Sequence, residues 1–134
     1  TAVKPPAFDN PSTTGLHDDK SGVFFSSDCF GALLSAVPQN AADLSDNDLR
    51  EGQIFWATVD SPWLHKVDGA WARELDAIRK MEPEMVLSSH LPAAPGKMTE
   101  RLLESLAAAP TAQPFVGPNQ AALEQMLKGM TSMA

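Results

Sequence analysis

The chain has 134 residues, 43% of them hydrophobic and 20% charged, which is the composition of a globular protein with one hydrophobic core. No apolar run approaches the roughly 20 residues that cross a bilayer, so a membrane span is not expected. Seventeen acidic residues against ten scattered basic residues give a net charge of −7, which argues against a nucleic-acid partner. We therefore expect a single domain over residues 1–134.

The lone cysteine, Cys29, rules out an intramolecular disulfide and a cysteine-based zinc knuckle. A single thiol is typical of a reducing compartment, so the cytoplasm is the predicted location. Cys29 is interpreted as a small buried hydrophobic residue, because a nucleophilic thiol needs an activating base. The chain begins at Thr1 without a methionine, which suggests processing or excision from something longer.

The first twenty residues predict extended structure followed by a turn. Three prolines in the segment from Thr1 to Pro11 favour an edge strand or an arm. The stretch from Gly15 to Gly22 is rich in turn residues and predicts a hairpin loop with His17 near its polar tip. A histidine there can bind metal, but the favoured interpretation is a solvated side chain.

The run SGVFFSSDCFG, from Ser21 to Gly31, places a carboxylate at the end of an apolar strand. Val23, Phe24 and Phe25 predict a short buried strand that stops at Asp28. An ionised carboxylate at that position needs a cation or hydrogen-bond donors. Taken alone, Asp28 is best interpreted as the cap of the following turn. A partner elsewhere in the chain would favour a binding site instead.

Four amphipathic helices and a second short strand are predicted after Gly31. The helices span about Asp46 to Val59 with Ser45 as the cap, Lys66 to Met81, Lys97 to Ala109, and Pro118 to Met130. In the last three helices the residues expected to face the core are Val67, Trp71, Leu75, Ile78, Met98, Leu102, Leu103, Leu106, Leu123, Met126, Leu127 and Met130. The second strand, Met85 to Leu87, ends in a pair of serines and His90, before a proline-rich loop from Leu91 to Gly96.

Asp28 and His90 thus occupy equivalent positions, each at the end of a short apolar strand and each preceded by two serines. A carboxylate can bridge two metal ions, and an imidazole supplies one nitrogen ligand. Two such residues do not make a metal site. From the residues alone, His90 is interpreted as a hydrogen-bonded histidine at a strand end.

The segments SGVFFSSDCFGALL and MVLSSHLP together resemble the second half of the metallo-β-lactamase fold, nearest to its oxygen-binding diiron and flavodiiron branch. The preceding FDNPSTTGLHDDKSG is similar to the hairpin of that family, so the resemblance extends from about Pro5 to Met130. It implies an α/β fold, half of an αββα sandwich, with a small sheet and several flanking helices. It also implies that Asp28 bridges two metals and that His90 is the last histidine ligand.

The resemblance has one large gap, because the HxHxDH loop and the following histidine of the family are absent. Here the histidines are His17, His65 and His90. A metal held by Asp28 and His90 alone would be weakly bound. The chain is therefore expected to be the C-terminal half of such a domain, as an excised fragment, a proteolytic remnant or a split subunit. We expect no activity and no tightly bound metal from this chain alone.

The complete protein implied by the resemblance would hold two iron or two zinc ions and catalyse hydrolysis or the reduction of oxygen or nitric oxide. Ser27 and Ser89 would orient the ligands. No flavin-binding segment lies in this chain. The expected partners are the missing N-terminal half and a second copy of the chain, which would associate through the apolar surface that the missing half leaves exposed.

The alternative is a non-enzymatic α/β interaction module without metal. Asp28 would then cap a turn and His90 would be structural. Three tryptophans, Trp56, Trp63 and Trp71, would mark a partner surface or simply pack in the core.

Overall fold

The structure is a computed structural model that describes residues 1–61 and 69–131. This part of the chain is a mixed α/β fold with a five-stranded open sheet and four α-helices, which confirms the predicted fold class. In chain order the elements are β1 (Ala2–Val3), β2 (Gly15–Asp18), β3 (Val23–Ser27), α1 (Asp46–Asp60), α2 (Ala70–Met81), β4 (Met85–Ser88), β5 (Leu91–Pro95), α3 (Thr99–Ala107) and α4 (Gln120–Thr131).

The strands lie in the order β1-β2-β3-β4-β5. β3 and β4 are parallel, and every other neighbouring pair is antiparallel. Phe24 pairs with Val86 and Ser27 pairs with Ser88, so the two parallel strands end side by side. The turns that follow β3 and β4 therefore emerge at the same end of the sheet, beyond the carboxyl ends of these strands. Ligands bind at this position in open α/β folds.

The outer strands of the sheet are β1 and β5. The predicted arm contains β1 at one edge, and the predicted hairpin is β2 paired with β3. The prediction of a loop from Leu91 to Gly96 is wrong, because Leu91–Pro95 is the strand β5 at the opposite edge. Proline cannot donate to a sheet ladder, but an edge strand tolerates it because one side of the strand has no partner.

The helix boundaries follow the predicted ones closely. α1 begins after Ser45, whose hydroxyl oxygen accepts the N–H of Asp48 at 3.0 Å, and it ends one residue beyond the prediction. α2 ends at Met81 as predicted, and the predicted start at Lys66 lies outside the described residues. α3 is shorter than predicted because a 3₁₀ turn precedes it and another follows it.

The core lies between the helices and one face of the sheet, which we call the covered face. Phe24, Val86 and Ala94 occupy this face and are at most 1% exposed. α1, α2 and α3 contribute the buried residues Leu49, Leu75, Ile78, Leu102, Leu103 and Leu106. The burial predicted for the apolar faces of α2 and α3 is thus confirmed for Leu75, Ile78 and the leucines of α3, while Val67 lies outside the described residues.

The apolar face of α4 does not reach this core, contrary to the prediction. Leu123 is 42% exposed, Met126 61%, Leu127 53% and Met130 71%. Helical periodicity predicts an apolar face but not the surface that covers it.

The opposite face of the sheet, the open face, carries a row formed by Leu16, Phe25 and Leu87 across β2, β3 and β4. Leu16 is 50% exposed and Phe25 is 44% exposed. The prediction that Phe25 is buried is therefore wrong, because alternate residues of a strand point to opposite faces. In the described ranges, no helix combines the length and apolar character needed to span a membrane.

A candidate site at the ends of two parallel strands

The turn after β3 presents Asp28 through an unusual backbone. Ser27 and Phe30 both have positive φ, at 57° and 66°, a conformation that non-glycine residues adopt at a cost. The hydroxyl of Ser26 donates to the carbonyl of Cys29 at 2.8 Å and stabilises the turn from inside the core. The N–H of Gly31 donates to the carbonyl of Asp28 at 3.1 Å. The carboxylate of Asp28 lies partly buried beyond the carboxyl end of β3.

The turn after β4 is tied to the turn after β3. The backbone N–H of Ser89 donates to the carbonyl of Ser27 at 2.9 Å, and the hydroxyl of Ser88 donates to the same carbonyl at 3.2 Å. The carbonyl of His90 accepts the N–H of Ala32 at 3.0 Å. These bonds hold the backbones around Asp28 and His90 in register.

The structure brings together the two residues at the predicted strand ends. Nε2 of His90 lies 3.0 Å from Oδ1 of Asp28. The side chain of His90 is 44% exposed and that of Asp28 is 24% exposed, so the pair is accessible from solvent. Asp28 therefore has a nearby partner, and a metal-binding role for either residue stays a prediction.

Trp56 on α1 contacts both members of the pair, and its sequence pattern did not predict a place in the site. Its indole N–H donates to the carbonyl of Asp28 at 3.2 Å. Its ring lies on the imidazole of His90, with centroids 4.3 Å apart and planes inclined by 38°. A Cβ at Gly31 would lie 2.6 Å from the indole nitrogen, so only glycine permits this approach. In the sequence, Gly31 of the SSDCFG segment was the signal that another group approaches the backbone closely at this turn.

The carboxylate of Asp60 interacts electrostatically with both members of the pair. Burial raises the pKa of Asp60, at the end of α1, and the negative charge of Asp28 adds to this effect. The hydroxyl of Ser61 opposes it by donating to the Asp60 carboxylate at 3.0 Å. Burial also raises the pKa of the Cys29 thiol to about 12. Cys29 is thus buried as predicted, and its thiol is protonated at neutral pH.

The other sequence candidates lie elsewhere or have different partners. His17 is in strand β2, with Nδ1 2.9 Å from Asp19, and its side chain is only 14% exposed. The predicted solvated position is therefore wrong, and Nε2 of His17 is buried without a hydrogen-bond partner in the described ranges. His65 lies outside the described residues. Hydroxyl bonds that order the two turns come from Ser26 and Ser88, while orientation of the ligands by Ser27 and Ser89 stays a prediction.

Asp28 and His90 are residue types that bind metal, and their role as ligands stays a prediction. Within residues 1–61 and 69–131, no three His, Cys, Asp or Glu side chains are grouped to hold a metal. These residues therefore do not fit a complete centre.

A pocket of about 540 Å³ opens beside the pair. Trp56, Ser89 and His90 line it, whereas Asp28 does not. The remaining lining is mainly apolar and consists of Ala32, Leu33, Leu34, Val37, Pro38, Gln39, Leu91 and Pro92. A mostly apolar pocket with a few polar groups is typical of a small-molecule site.

No protein-family model and no curated protein matches this sequence. Among solved structures, rubredoxin oxygen:oxidoreductase from the anaerobe Desulfovibrio gigas has a similar fold, with a TM-score of 0.59 at 13% sequence identity. The match covers 78% of this chain and 26% of the other, so this chain corresponds to about a quarter of that protein. At this identity the likeness shows the fold alone. It supports, at a coarse level, the metallo-β-lactamase-like fold that the sequence resemblance implied.

Proposed function

We propose that this chain is the C-terminal part of a metallo-β-lactamase-fold metalloprotein and that Asp28 and His90 are two ligands of its dinuclear iron or zinc centre. The observation that carries the proposal is the 3.0 Å contact between Oδ1 of Asp28 and Nε2 of His90 at the ends of adjacent parallel strands. The remaining ligands would come from a histidine-rich half that residues 1–134 do not contain.

The roles of the two residues follow from the resemblance of SSDCFG and SSH to the family. Asp28 would bridge the two metals and His90 would complete the shell of one of them. A bound dinuclear centre would supply Lewis-acid or redox chemistry to the complete protein. Iron and the reduction of oxygen are the favoured version, because the structurally similar protein is by its name an oxygen oxidoreductase.

The open face supports the same proposal from another direction. Phe25 and Leu16 are about half exposed in the middle of the sheet, where a soluble domain normally covers its apolar surface. A second sheet packed on this face would bury the row of Leu16, Phe25 and Leu87 and complete a two-sheet sandwich. The same half of the protein would thus supply both the missing ligands and the missing cover.

The test is to titrate Zn²⁺ and Fe²⁺ into this chain and into a version extended toward the N-terminus. We expect weak binding to residues 1–134 and tight binding to the extended chain. Asp28→Asn and His90→Ala should each abolish tight binding, whereas the control His17→Ala should retain it. An extension that adds neither tight binding nor a histidine-rich loop would contradict the proposal and favour the interaction module.

A further inference from the structure

A single side chain on α1 joins the two members of the Asp28–His90 pair. Trp56 donates its indole N–H to the backbone of Asp28 and places its ring against the imidazole of His90. We infer that Trp56 is the positioning residue of the pair, because it holds the imidazole of His90 in the orientation that directs Nε2 at Asp28.

The need for such a residue follows from the exposure of His90. Its backbone is held at both ends, since the N–H donates to the Ser88 hydroxyl at 3.3 Å and the carbonyl accepts from Ala32 at 3.0 Å. Neither bond restrains the side-chain torsions. The contact with Asp28 restrains one ring atom and leaves the ring able to pivot about it. The face contact with Trp56 removes that freedom.

Trp56 can do this because contacts other than the one with His90 determine its own position. It lies within α1, whose residue Gly52 accepts the N–H of Leu33 at 3.1 Å and so ties the helix to the chain that follows the Asp28 turn. Gly31 leaves room for the indole, whose N–H donates to the carbonyl of Asp28. α1 therefore holds Trp56 in place, and Trp56 holds the ring of His90 in the turn after β4.

Trp71 on α2 provides the contrast. Its indole N–H donates to the carbonyl of Leu106 at 3.0 Å, which links α2 to α3. Trp56 and Trp71 thus make the same kind of hydrogen bond, and in the described ranges the ring contact with His90 comes from Trp56. Trp71 is therefore the matched control for a tryptophan that supports the fold without positioning His90.

The consequence for metal binding rests on the proposed function, whereas the geometric claim stands on this chain alone. Residues that orient metal ligands typically change affinity by 10–100-fold when they are mutated. In a chain extended as above, Trp56→Leu should therefore weaken metal binding by about tenfold.

The experiment uses the metal-free chain and NMR of the His90 ring. In the wild type we expect one χ1 rotamer, nuclear Overhauser contacts between the indole and the imidazole, and ring protons shifted upfield by the indole. Trp56→Leu should give rotamer averaging and loss of the upfield shift. Trp56→Phe keeps an aromatic face and should restore a single rotamer. Trp71→Phe should leave the His90 signals unchanged.

A single, unchanged rotamer of His90 in Trp56→Leu would overturn the inference, as would averaging in the wild type. If Trp56→Leu does not fold, Gly31→Ala decides, because its methyl group would meet the indole nitrogen at 2.6 Å and displace the ring. Unchanged His90 signals in that variant would also overturn it. Since no metal is present, a failed metal titration leaves this result intact, and a failure here leaves the proposed metal site intact.

Discussion

Two neighbouring residues of β3, Phe24 and Phe25, have the same side chain and opposite surroundings. Phe24 lies on the covered face and is 0% exposed, whereas Phe25 lies on the open face and is 44% exposed. Yet the open face is also apolar, because Leu16 and Leu87 flank Phe25. The apolar runs of β3 and β4 are those of strands with both faces buried, while the described helices cover only one face. Residues on the covered face, such as Phe24, therefore stabilise this chain, whereas those on the open face, such as Phe25, would be buried by a partner.

The largest effect is expected on the covered face. Phe24→Ala should lower the free energy of unfolding by about 3–5 kcal/mol, because it leaves a cavity in the core. Phe25→Ala is the matched variant and should cost about 1 kcal/mol or less, the scale of cross-strand pairs. Urea unfolding of both variants measures the difference. Equal losses would mean that the open face is buried in solution.

A smaller effect is expected where α1 approaches the chain after the Asp28 turn. A Cβ at Gly52 would lie 2.6 Å from the carbonyl oxygen of Leu33, so Gly52→Ala should destabilise the protein by about 1–3 kcal/mol. In α4, a Cβ at Gly129 would meet no atom of the described residues within 4 Å, so Gly129→Ala should stabilise by up to about 1 kcal/mol. Denaturant unfolding measures both changes. A lower unfolding free energy for Gly52→Ala and a higher one for Gly129→Ala would confirm that α1 is closely packed at Gly52 and that α4 is not at Gly129.

The buried thiol predicts a loss of stability at alkaline pH. The pKa of Cys29 rises from 9.0 to about 12 on folding, so the folded state holds its proton more tightly than the unfolded state. The contribution is complete below about pH 9 and is lost as the pH rises toward 12. Cys29→Ala should therefore flatten the decline in unfolding free energy over this range. An identical decline in the variant and the wild type would show that the thiol is not buried.

The smallest effect on stability, with a distinct effect on association, is expected on the open face. The wild-type chain should associate at high concentration through Leu16 and Phe25, and Phe25→Ser should weaken that association while changing the unfolding free energy by about 1 kcal/mol or less. Sedimentation equilibrium measures both proteins. A monomeric wild type at high concentration would contradict this expectation.

Much of the fold was predictable because its signals are local. Ser45 marks the start of α1, the proline after Glu82 marks the end of α2, and the apolar runs mark β3 and β4. β5 was missed because its prolines are typical of a loop. The open position of Phe25 and the exposure of α4 were missed because a pattern of apolar residues does not identify the surface that covers them.

The candidate site likewise contains residues that the sequence pointed to and one residue that only the structure revealed. Asp28 and His90 were singled out by the resemblance of the short segments that hold them to a known family, whereas the residues alone favoured a turn cap and a structural histidine. Trp56 was not recognisable, because it lies 28 residues from Asp28 on a helix whose rotation and distance from the sheet depend on the whole core.

Local sequence was enough to establish the mixed α/β class, the bounds of most helices and the two residues at the strand ends, because these depend on neighbours along the chain. The packing of distant segments established which face of the sheet is covered, that Asp28 and His90 are 3.0 Å apart, and that Trp56 contacts both. Those facts depend on the parallel pairing of β3 with β4 and on the position of α1, which residues far apart in the chain create together.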